Sequence, residues 1–290
     1  MQDAHGRKID YVRLSVTDRC NLRCTYCMAE DMEFVPRREL LTFEEIEELT
    51  RHLVGRGVKR IRLTGGEPLV RKGIVDLVER LGNLRPLGLA EVTLTTNGTR
   101  LPELSQDLFA AGIRRINVSL DTLDPARFAQ LTRRDEFARV LEGIEAARNA
   151  GLAVRINTVA MRGVNDQDLP ALLAWCGERG FDLALIEAMP LGEVSIDRRS
   201  AHLPLSEVRA TLERDFTLIP SAHRTGGPAR YFDVAETGTR IGFITPLSDN
   251  FCAGCNRIRI AATGTVYGCL GHDQKVELRD VLRAAGPGEL

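Results

Sequence analysis

Over the first 190 residues, short apolar runs with a period of two alternate with longer segments that have helical periodicity. This alternation predicts repeated βα units, and therefore an α/β fold with a parallel sheet and right-handed crossovers. Six strands fit an open, incomplete barrel better than a closed barrel of eight. The predicted strands are residues 11–17, 59–65, 91–97, 115–121, 153–161 and 182–190.

The predicted strands are polar on one face. In the first strand Val12 and Leu14 alternate with Arg13 and Ser15, and the same split recurs in the following strands. Because successive side chains point to opposite faces, the apolar set faces the helices and the polar set faces the barrel lumen. Closed barrels are filled by bulky apolar side chains, so this lumen predicts a polar ligand.

Three of the lumen positions, on separate strands, are Arg13, Arg62 and Arg155. Guanidinium groups are permanent cations whose fork geometry suits phosphate and carboxylate. The alternative is that these arginines pair with acids on neighbouring loops. Three arginines on one face are hard to satisfy in that way, so a polyphosphate ligand is favoured.

The last hundred residues have a different pattern, in which short alternating runs are separated by glycine-rich turns. Such runs predict antiparallel strands. We therefore divide the chain into a partial barrel, residues 1–190, and a β-rich extension, residues 191–290. The predicted strands of the extension are residues 230–235, 240–245, 257–261 and 265–267.

The composition is that of a globular protein, with 290 residues, 43% hydrophobic residues and a formal net charge of −1. It excludes disordered, collagen-like and disulfide-scaffold classes, and the near-neutral balance argues against binding to nucleic acid or a membrane surface. No apolar stretch predicts a signal peptide or a membrane span, so we expect a cytoplasmic protein. Thiols are kept reduced there, and the seven cysteines are therefore expected as metal ligands, catalysts or core residues.

Six of the cysteines form two groups: Cys20, Cys24 and Cys27 (the first cysteine group) and Cys252, Cys255 and Cys269 (the second cysteine group). Three thiolates in the short loop after the first strand can hold three irons of a [4Fe–4S] cluster, leaving the fourth iron open. Zinc is the alternative, but it usually needs four ligands and no fourth lies nearby. The remaining cysteine, Cys176, is expected in the protein core on the apolar face of a helix, and His223 is expected in solvent.

The first cysteine group resembles the C-x₃-C-x₂-C motif of the radical S-adenosylmethionine (SAM) superfamily, in which the open iron chelates SAM. Within that superfamily the chain resembles the GTP 3′,8-cyclase (MoaA) family of molybdenum cofactor biosynthesis over residues 10–282. The segments that carry the resemblance are residues 14–20, 63–68, 95–98, 117–122, 163–166, 226–230, 241–246 and 251–259.

The resemblance implies a SAM site, a GTP site and a second [4Fe–4S] cluster, held by the second cysteine group, whose open iron binds guanine. His272 leaves open a zinc site at the second cysteine group. Arg257 and Arg259 are the implied catalytic residues, which steer and quench the product radical. The implied SAM contacts are Tyr26, Gly66, Glu67, Thr95, Ser119 and Met189, and the implied GTP contacts are Arg13, Arg62, Arg155, Arg257, Ile258 and Arg259.

The implied reaction converts GTP to 3′,8-cyclo-7,8-dihydro-GTP, with hydrogen abstraction from ribose C3′. The implied partners are an electron donor such as flavodoxin or ferredoxin, the cyclic pyranopterin monophosphate synthase that receives the product, and a second copy in a homodimer. The chain stops at Leu290, before the terminal Gly-Gly tail of the family. Two alternatives stay open: a related radical SAM enzyme acting on another nucleotide or a peptide, and a non-catalytic iron–sulfur or zinc sensor.

Overall fold

The computed structural model describes residues 1–3, 6–189, 200–249, 251–269 and 274–285. Its first part has the expected series of βα units, and each predicted strand is present, shorter by one to three residues. The strands are β1 (Tyr11–Ser15), β2 (Arg60–Thr64), β3 (Glu91–Thr96), β4 (Arg115–Ser119), β5 (Ala153–Ala160) and β6 (Asp182–Glu187). The helices are α1 (Phe43–Gly55), α2 (Ile74–Gly82), α3 (Leu101–Ala110), α4 (Pro125–Thr132), α5 (Phe137–Asn149) and α6 (Leu169–Glu178).

The second part is mostly strands, as predicted, and all its strands join the same sheet. Its elements are α7 (Leu205–Leu212), β7 (Leu218–Pro220), β8 (Arg230–Val234), β9 (Arg240–Ile244), β10 (Arg257–Ile260), β11 (Thr265–Tyr267), β12 (Lys275–Glu277) and α8 (Arg279–Ala285). Within the described ranges the sheet has twelve strands in the order β12-β11-β10-β1-β2-β3-β4-β5-β6-β9-β8-β7. The sheet is therefore open, and the predicted incomplete α/β barrel followed by a β-rich C-terminal part is confirmed.

The direction of two C-terminal strands differs from the expected antiparallel arrangement. β10 is parallel to β1 and β9 is parallel to β6, whereas the outer pairs β10–β11, β11–β12, β9–β8 and β8–β7 are antiparallel. β10 extends the sheet beyond β1, and β9 extends it beyond β6. Each of them runs parallel to the barrel strand with which it pairs. The division at residue 190 stays a prediction, because residues 190–199 lie outside the described residues.

The core lies between the apolar face of the sheet and the surrounding helices. Val12 and Leu14 are fully buried there, and Cys176 packs in the same core as expected. The start of α1 has a capping box, in which Thr42 Oγ1 accepts from the Glu45 amide at 3.1 Å and Glu45 Oε2 accepts from the Thr42 amide at 2.7 Å. No helix in the described part of the chain is long and apolar enough to cross a membrane.

Candidate active site

The loop that carries the first cysteine group follows β1 and is fixed to the end of α4. The amides of Arg23 and Thr25 donate to the carbonyls of Thr132 and Leu131 at 2.9 and 2.8 Å. These main-chain bonds hold the loop without using its thiols, and Cys20, Cys24 and Cys27 form no disulfide. The three thiols therefore stand at the carboxyl end of β1, which is the end of the barrel where α/β enzymes place their chemistry.

The chemistry of the three thiols fits an iron–sulfur cluster better than a single ion. Burial raises the pKa of Cys20 to about 11 and the pKa of Cys24 still further, so a bound cation is needed to keep them as thiolates. In the parts of the chain that the structure describes, no three Cys, His, Asp or Glu side chains converge on one ion position. A cluster does not require such convergence, because each thiolate binds a different iron.

The Gly65-Gly66 turn at the end of β2 packs directly on the cysteine loop. A Cβ on Gly65 would lie 2.5 Å from the carbonyl oxygen of Thr17, and one on Gly66 would lie 2.4 Å from that of Arg19. The Gly66 and Glu67 amides also donate to these two carbonyls, both at 2.8 Å. The glycines are thus required by the close approach of two loops of the chain.

The side chain of Glu67 is an internal anchor. Its carboxylate accepts hydrogen bonds from the amides of Leu69 and Asn97, at 3.0 and 2.6 Å, and from Thr96 Oγ1 at 2.8 Å. Burial raises the pKa of Glu67 to about 7, although these three donors favour the ionised form. The side chain joins the β2 turn to the end of β3, so a contact of Glu67 with SAM would have to come from its main chain.

Tyr26 fixes the cysteine loop to β4. Its hydroxyl donates to Asp121 Oδ2 at 2.5 Å, and Asp121 Oδ1 accepts from the Val159 amide at 2.8 Å. Burial raises the pKa of Asp121 to about 6. Asp121 lay on the predicted polar face but was not among the predicted site residues, since its partner is 95 residues away in sequence.

The other predicted SAM contacts lie on the carboxyl halves of the barrel strands. Thr95 and Ser119 are on the lumen face of β3 and β4, and Met189 follows β6 by two residues. Thr95 Oγ1 and Asn157 Oδ1 are buried and have no hydrogen-bond partner among the residues described. Buried polar atoms are normally satisfied, so these two atoms support the prediction of a polar ligand in this half of the lumen.

The basic residues predicted to bind substrate come together on the lumen face; they are Arg13, Arg62, Arg155, Arg257 and Arg259 (the lumen arginines). Arg13 is in register with Arg62 on one side and with Arg259 on the other. None of the lumen arginines forms an ion pair within the described ranges, and the Nε atoms of Arg13, Arg62 and Arg155 are buried without a partner. The alternative, pairing with acids on neighbouring loops, is not observed among the residues that the structure describes.

Burial and repulsion from neighbouring cations lower the pKa values of Arg13, Arg62 and Arg259. Burial lowers the pKa of Arg13 to about 9, and nearby Arg259 and Arg257 lower it further. Burial likewise lowers the pKa of Arg62 to about 9, with Arg155 and Arg13 adding to the effect. A group of buried cations without counter-charges favours an anionic ligand.

A cavity of about 470 Å³ lies at the amino ends of the strands. Arg155, Tyr231, His223 and Arg240 are among the side chains that line it. His223 was expected in solvent, but its ring contacts the Tyr231 ring edge-on at 4.8 Å and its Nδ1 lies 3.0 Å from Arg240 Nη1. No local sequence signal indicates these contacts, because they join β8, β9 and the loop before β8.

The second cysteine group lies at the amino end of β1, opposite the first. Cys255 directly precedes Asn256, whose carbonyl accepts from the Asp10 and Tyr11 amides, each at 3.2 Å. Because β10 and β11 are antiparallel with Arg259 opposite Tyr267, Cys269 returns to this same end. His272, the possible zinc ligand, lies outside the described residues.

Ile258 differs from the arginines that flank it. Its side chain packs against the core, on the face of β10 opposite to Arg257 and Arg259. A contact between Ile258 and a nucleotide would therefore come from its main chain.

The open α/β barrel and the three cysteines after its first strand can now be compared with known protein families. The chain belongs to the radical SAM superfamily, which matches residues 14–176, and residues 181–289 match the family described as Molybdenum Cofactor Synthesis C. The GTP 3′,8-cyclase of Erythrobacter litoralis is 58% identical over 285 residues, which cover 98% of this chain and 86% of that protein. The GTP 3′,8-cyclase of Rhizobium meliloti is 56% identical over 285 residues, covering 98% and 82%.

Solved structures with the same fold are radical SAM enzymes of low sequence identity. Streptococcus suis SuiB bound to S-adenosylmethionine superposes with a TM-score of 0.70 at 17% identity, over 94% of this chain and 64% of SuiB. Native anSMEcpe with bound AdoMet superposes with a TM-score of 0.60 at 16% identity, over 89% and 74%. The chain thus spans less than two thirds of SuiB, and these likenesses concern the fold. Membership of the radical SAM superfamily implies SAM and an iron–sulfur cluster as cofactors.

Proposed function

We propose that this protein is a radical SAM GTP 3′,8-cyclase, which converts GTP to 3′,8-cyclo-7,8-dihydro-GTP in the first step of molybdenum cofactor biosynthesis. The observation that carries the proposal is that the lumen arginines, without ion pairs in the described residues, share one lumen with the first cysteine group. The identity of 58% to a GTP 3′,8-cyclase supports the same substrate.

The cofactor site we propose is at the carboxyl end of the lumen. Cys20, Cys24 and Cys27 hold the cluster, and the main chain of Gly66 and Glu67 lies beside it for SAM. The remaining SAM contacts that we propose are Tyr26, Thr95, Ser119 and Met189. When bound, a reduced cluster and SAM supply the one-electron chemistry that removes hydrogen from ribose C3′.

The substrate site we propose is between the two ends. The guanidinium groups of Arg13, Arg62 and Arg155 bind the triphosphate in this proposal, because the forked guanidinium group offers paired N–H donors to phosphate oxygens. Arg257 and Arg259 face the same lumen from β10, and in this proposal they are the catalytic residues that steer the product radical. Its quenching takes one electron from the electron donor and one proton, which a guanidinium group can supply. Between these two arginines, Ile258 contacts GTP through its main chain in this proposal.

Cys252, Cys255 and Cys269 hold a second [4Fe–4S] cluster in this proposal. Its support is the register of β10 and β11, which returns Cys269 to the end where Cys255 lies. The family resemblance also supports a flavodoxin or ferredoxin as electron donor, transfer of product to the cyclic pyranopterin monophosphate synthase, and a homodimer. Zinc bound with His272 is the alternative occupant, and iron and zinc analysis of the purified protein separates the two.

The test of the activity uses the anaerobically reconstituted protein with dithionite, SAM and GTP deuterated at C3′. We expect deuterium in the 5′-deoxyadenosine, measured by mass spectrometry. Unlabelled 5′-deoxyadenosine formed at the same rate with and without GTP would retain radical SAM chemistry and reject GTP as substrate. A related enzyme acting on a peptide or another nucleotide would then be the better interpretation. No 5′-deoxyadenosine at all would favour the non-catalytic sensor.

A further inference from the structure

One buried amide contacts two of the lumen arginines. Asn117, on β4, is 1% exposed, and the hydrogen-bond network orients its amide with Oδ1 toward the guanidinium groups. In this orientation Oδ1 accepts from Arg155 Nη2 at 2.8 Å and from Arg62 Nη1. An amide nitrogen at the same place would face only donors. A single neutral oxygen thus bridges cations from β2 and β5.

A second neutral oxygen contacts Arg155 from the C-terminal part of the chain. Tyr231, on β8, is 3% exposed, and its hydroxyl accepts from Arg155 Nη1 at 2.5 Å. Its ring is fixed edge-on by His223 at 4.8 Å. Arg155 is therefore held through both terminal nitrogens, and neither contact brings a negative charge.

Other arginines around the same cavity are held by carboxylates. Arg115 forms a bidentate pair with Glu91 at 2.5 and 2.7 Å, and Arg240 pairs with Asp182 at 3.0 Å. A carboxylate orients a guanidinium more strongly than an amide does, but it also cancels the field that the cation presents to a ligand. Arg224, an exposed side chain at the same cavity, donates to the carbonyls of Ser221 and His223. Asn117 and Tyr231 differ from these partners in being neutral side-chain acceptors for two arginines of the lumen.

We propose that Asn117 and Tyr231 are positioning residues, which hold Arg62 and Arg155 through neutral oxygens so that both guanidinium groups keep their charge for an anionic ligand. The proposal rests on the proposed function in taking the triphosphate of GTP as that ligand. Asn117 contributes two properties in this role. Its oxygen orients the arginines, and that oxygen carries no charge.

Equilibrium binding of GTP to the reconstituted protein tests both properties with three variants. Asn117→Asp keeps the oxygen and adds a charge, and we expect GTP affinity to fall about 100-fold. Asn117→Ala and Tyr231→Phe remove an acceptor from a charged donor, and we expect a fall of about tenfold. The diagnostic result is that the Asp variant binds GTP more weakly than the Ala variant.

Two controls separate this effect from a loss of structure. Without ligand, the melting temperature of Asn117→Asp should equal or exceed that of the wild type, because the new carboxylate pairs two buried cations. The ratio of GTP affinity to GMP affinity should also fall, since a lost field costs the more highly charged ligand more, whereas a misfolded site would weaken both alike. Asn83→Asp, the same change at the exposed end of α2, should leave both affinities unchanged.

The outcomes are decisive in each case. Wild-type affinity for GTP in Asn117→Asp would overturn the requirement for a neutral oxygen, and wild-type affinity in both Asn117→Ala and Tyr231→Phe would overturn the positioning role. Inorganic tripolyphosphate is titrated in parallel. If the wild type binds tripolyphosphate but not GTP, the proposed substrate is wrong, while the ranking of variants with tripolyphosphate still decides the role of Asn117. Binding of neither anion rejects both.

Discussion

The two ends of the lumen contain buried charges of opposite sign that do not meet. At the carboxyl end, Glu67 and Asp121 are buried acids with raised pKa values of about 7 and about 6. Nearer the amino end, Arg13 and Arg62 are buried bases whose pKa values are lowered to about 9. In the described residues neither pair forms an ion pair, although Glu91 and Asp182 show that the same sheet forms them at its rim.

The two ends differ in how their buried charges are compensated. Both sets of groups lose hydration on folding without gaining an opposite charge, which is costly unless a ligand supplies that charge. At the carboxyl end that cost is offset by hydrogen bonds, because Glu67 and Asp121 accept from main-chain amides and from the hydroxyls of Thr96 and Tyr26. In the proposed function a polyphosphate offsets it for the arginines. Among the described residues, the buried charges that lack both a counter-charge and a full set of hydrogen bonds are thus those of the arginine end, where the proposed anionic ligand would bind.

The largest expected effect comes from removing one thiol at the cysteine end of the lumen while the arginine end stays intact. Cys24→Ser removes one of the three thiols of the first cysteine group, and we expect formation of 5′-deoxyadenosine to fall by at least roughly 1,000-fold, because the one-electron chemistry depends on the cluster. GTP binding, measured by calorimetry, should stay within about twofold, because Cys24 lies at the opposite end from the arginines. Cys176→Ser, a buried cysteine outside both groups, is the matched control. Equal loss of GTP binding in Cys24→Ser would show that the ends are not independent.

Breaking the arginine end alone should give the reverse pattern. Arg62→Met removes a buried cation that has no ion pair among the described residues, and we expect GTP affinity to fall about 100- to 1,000-fold. The melting temperature should stay equal or rise, because a buried charge without a partner is replaced by an apolar chain. Arg51→Met, on the outer face of α1, controls for loss of an exposed arginine. A lower melting temperature with unchanged GTP affinity would assign Arg62 to the fold.

The smallest expected effect concerns the acid at the cysteine end. The pKa of Glu67 is about 7 in the folded protein and its ordinary value is 4.5, so the native state binds more protons between these pH values. The stability from the neutral carboxyl is fully present below pH 4.5 and is lost as the pH rises to 7. The difference corresponds to about 3 kcal/mol of unfolding free energy.

Urea unfolding of the metal-free protein between pH 4.5 and 8 measures this effect. The free energy of unfolding of the wild type, relative to Glu67→Gln, should decrease with rising pH and level off above pH 7. Parallel curves for the two proteins would mean that Glu67 is ionised throughout, held by its three hydrogen-bond donors.

The sequence predicted the barrel strands and their faces well because those depend on local alternation. Arg13, Arg62 and Arg155 were assigned to the lumen from a period of two, and the structure places all three there. The direction of β10 had no such signal. It is determined by pairing with β1, about 245 residues earlier, and only tertiary contacts decide which edge of a sheet a late strand joins.

The sequence identified residues of the candidate site, but it did not predict what their side chains contact. Glu67 was recognised from its motif, yet its carboxylate accepts hydrogen bonds from the turn after β2 and from the end of β3. Asn117 was one polar residue among many on the lumen face. Its contact with two guanidinium groups follows from how β2, β4 and β5 curve around one space, and no single segment contains that information.

The parallel pairing of β1 and β10 has a consequence for distance. Cys20 follows the carboxyl end of β1, and Cys255 precedes the amino end of β10, so the two cysteine groups lie at opposite ends of one two-stranded ribbon. A strand rises about 3.3 Å per residue, so the five residues of β1 span about 16 Å. The length of this two-stranded ribbon therefore sets the distance that any molecule must span to contact both cysteine groups at once.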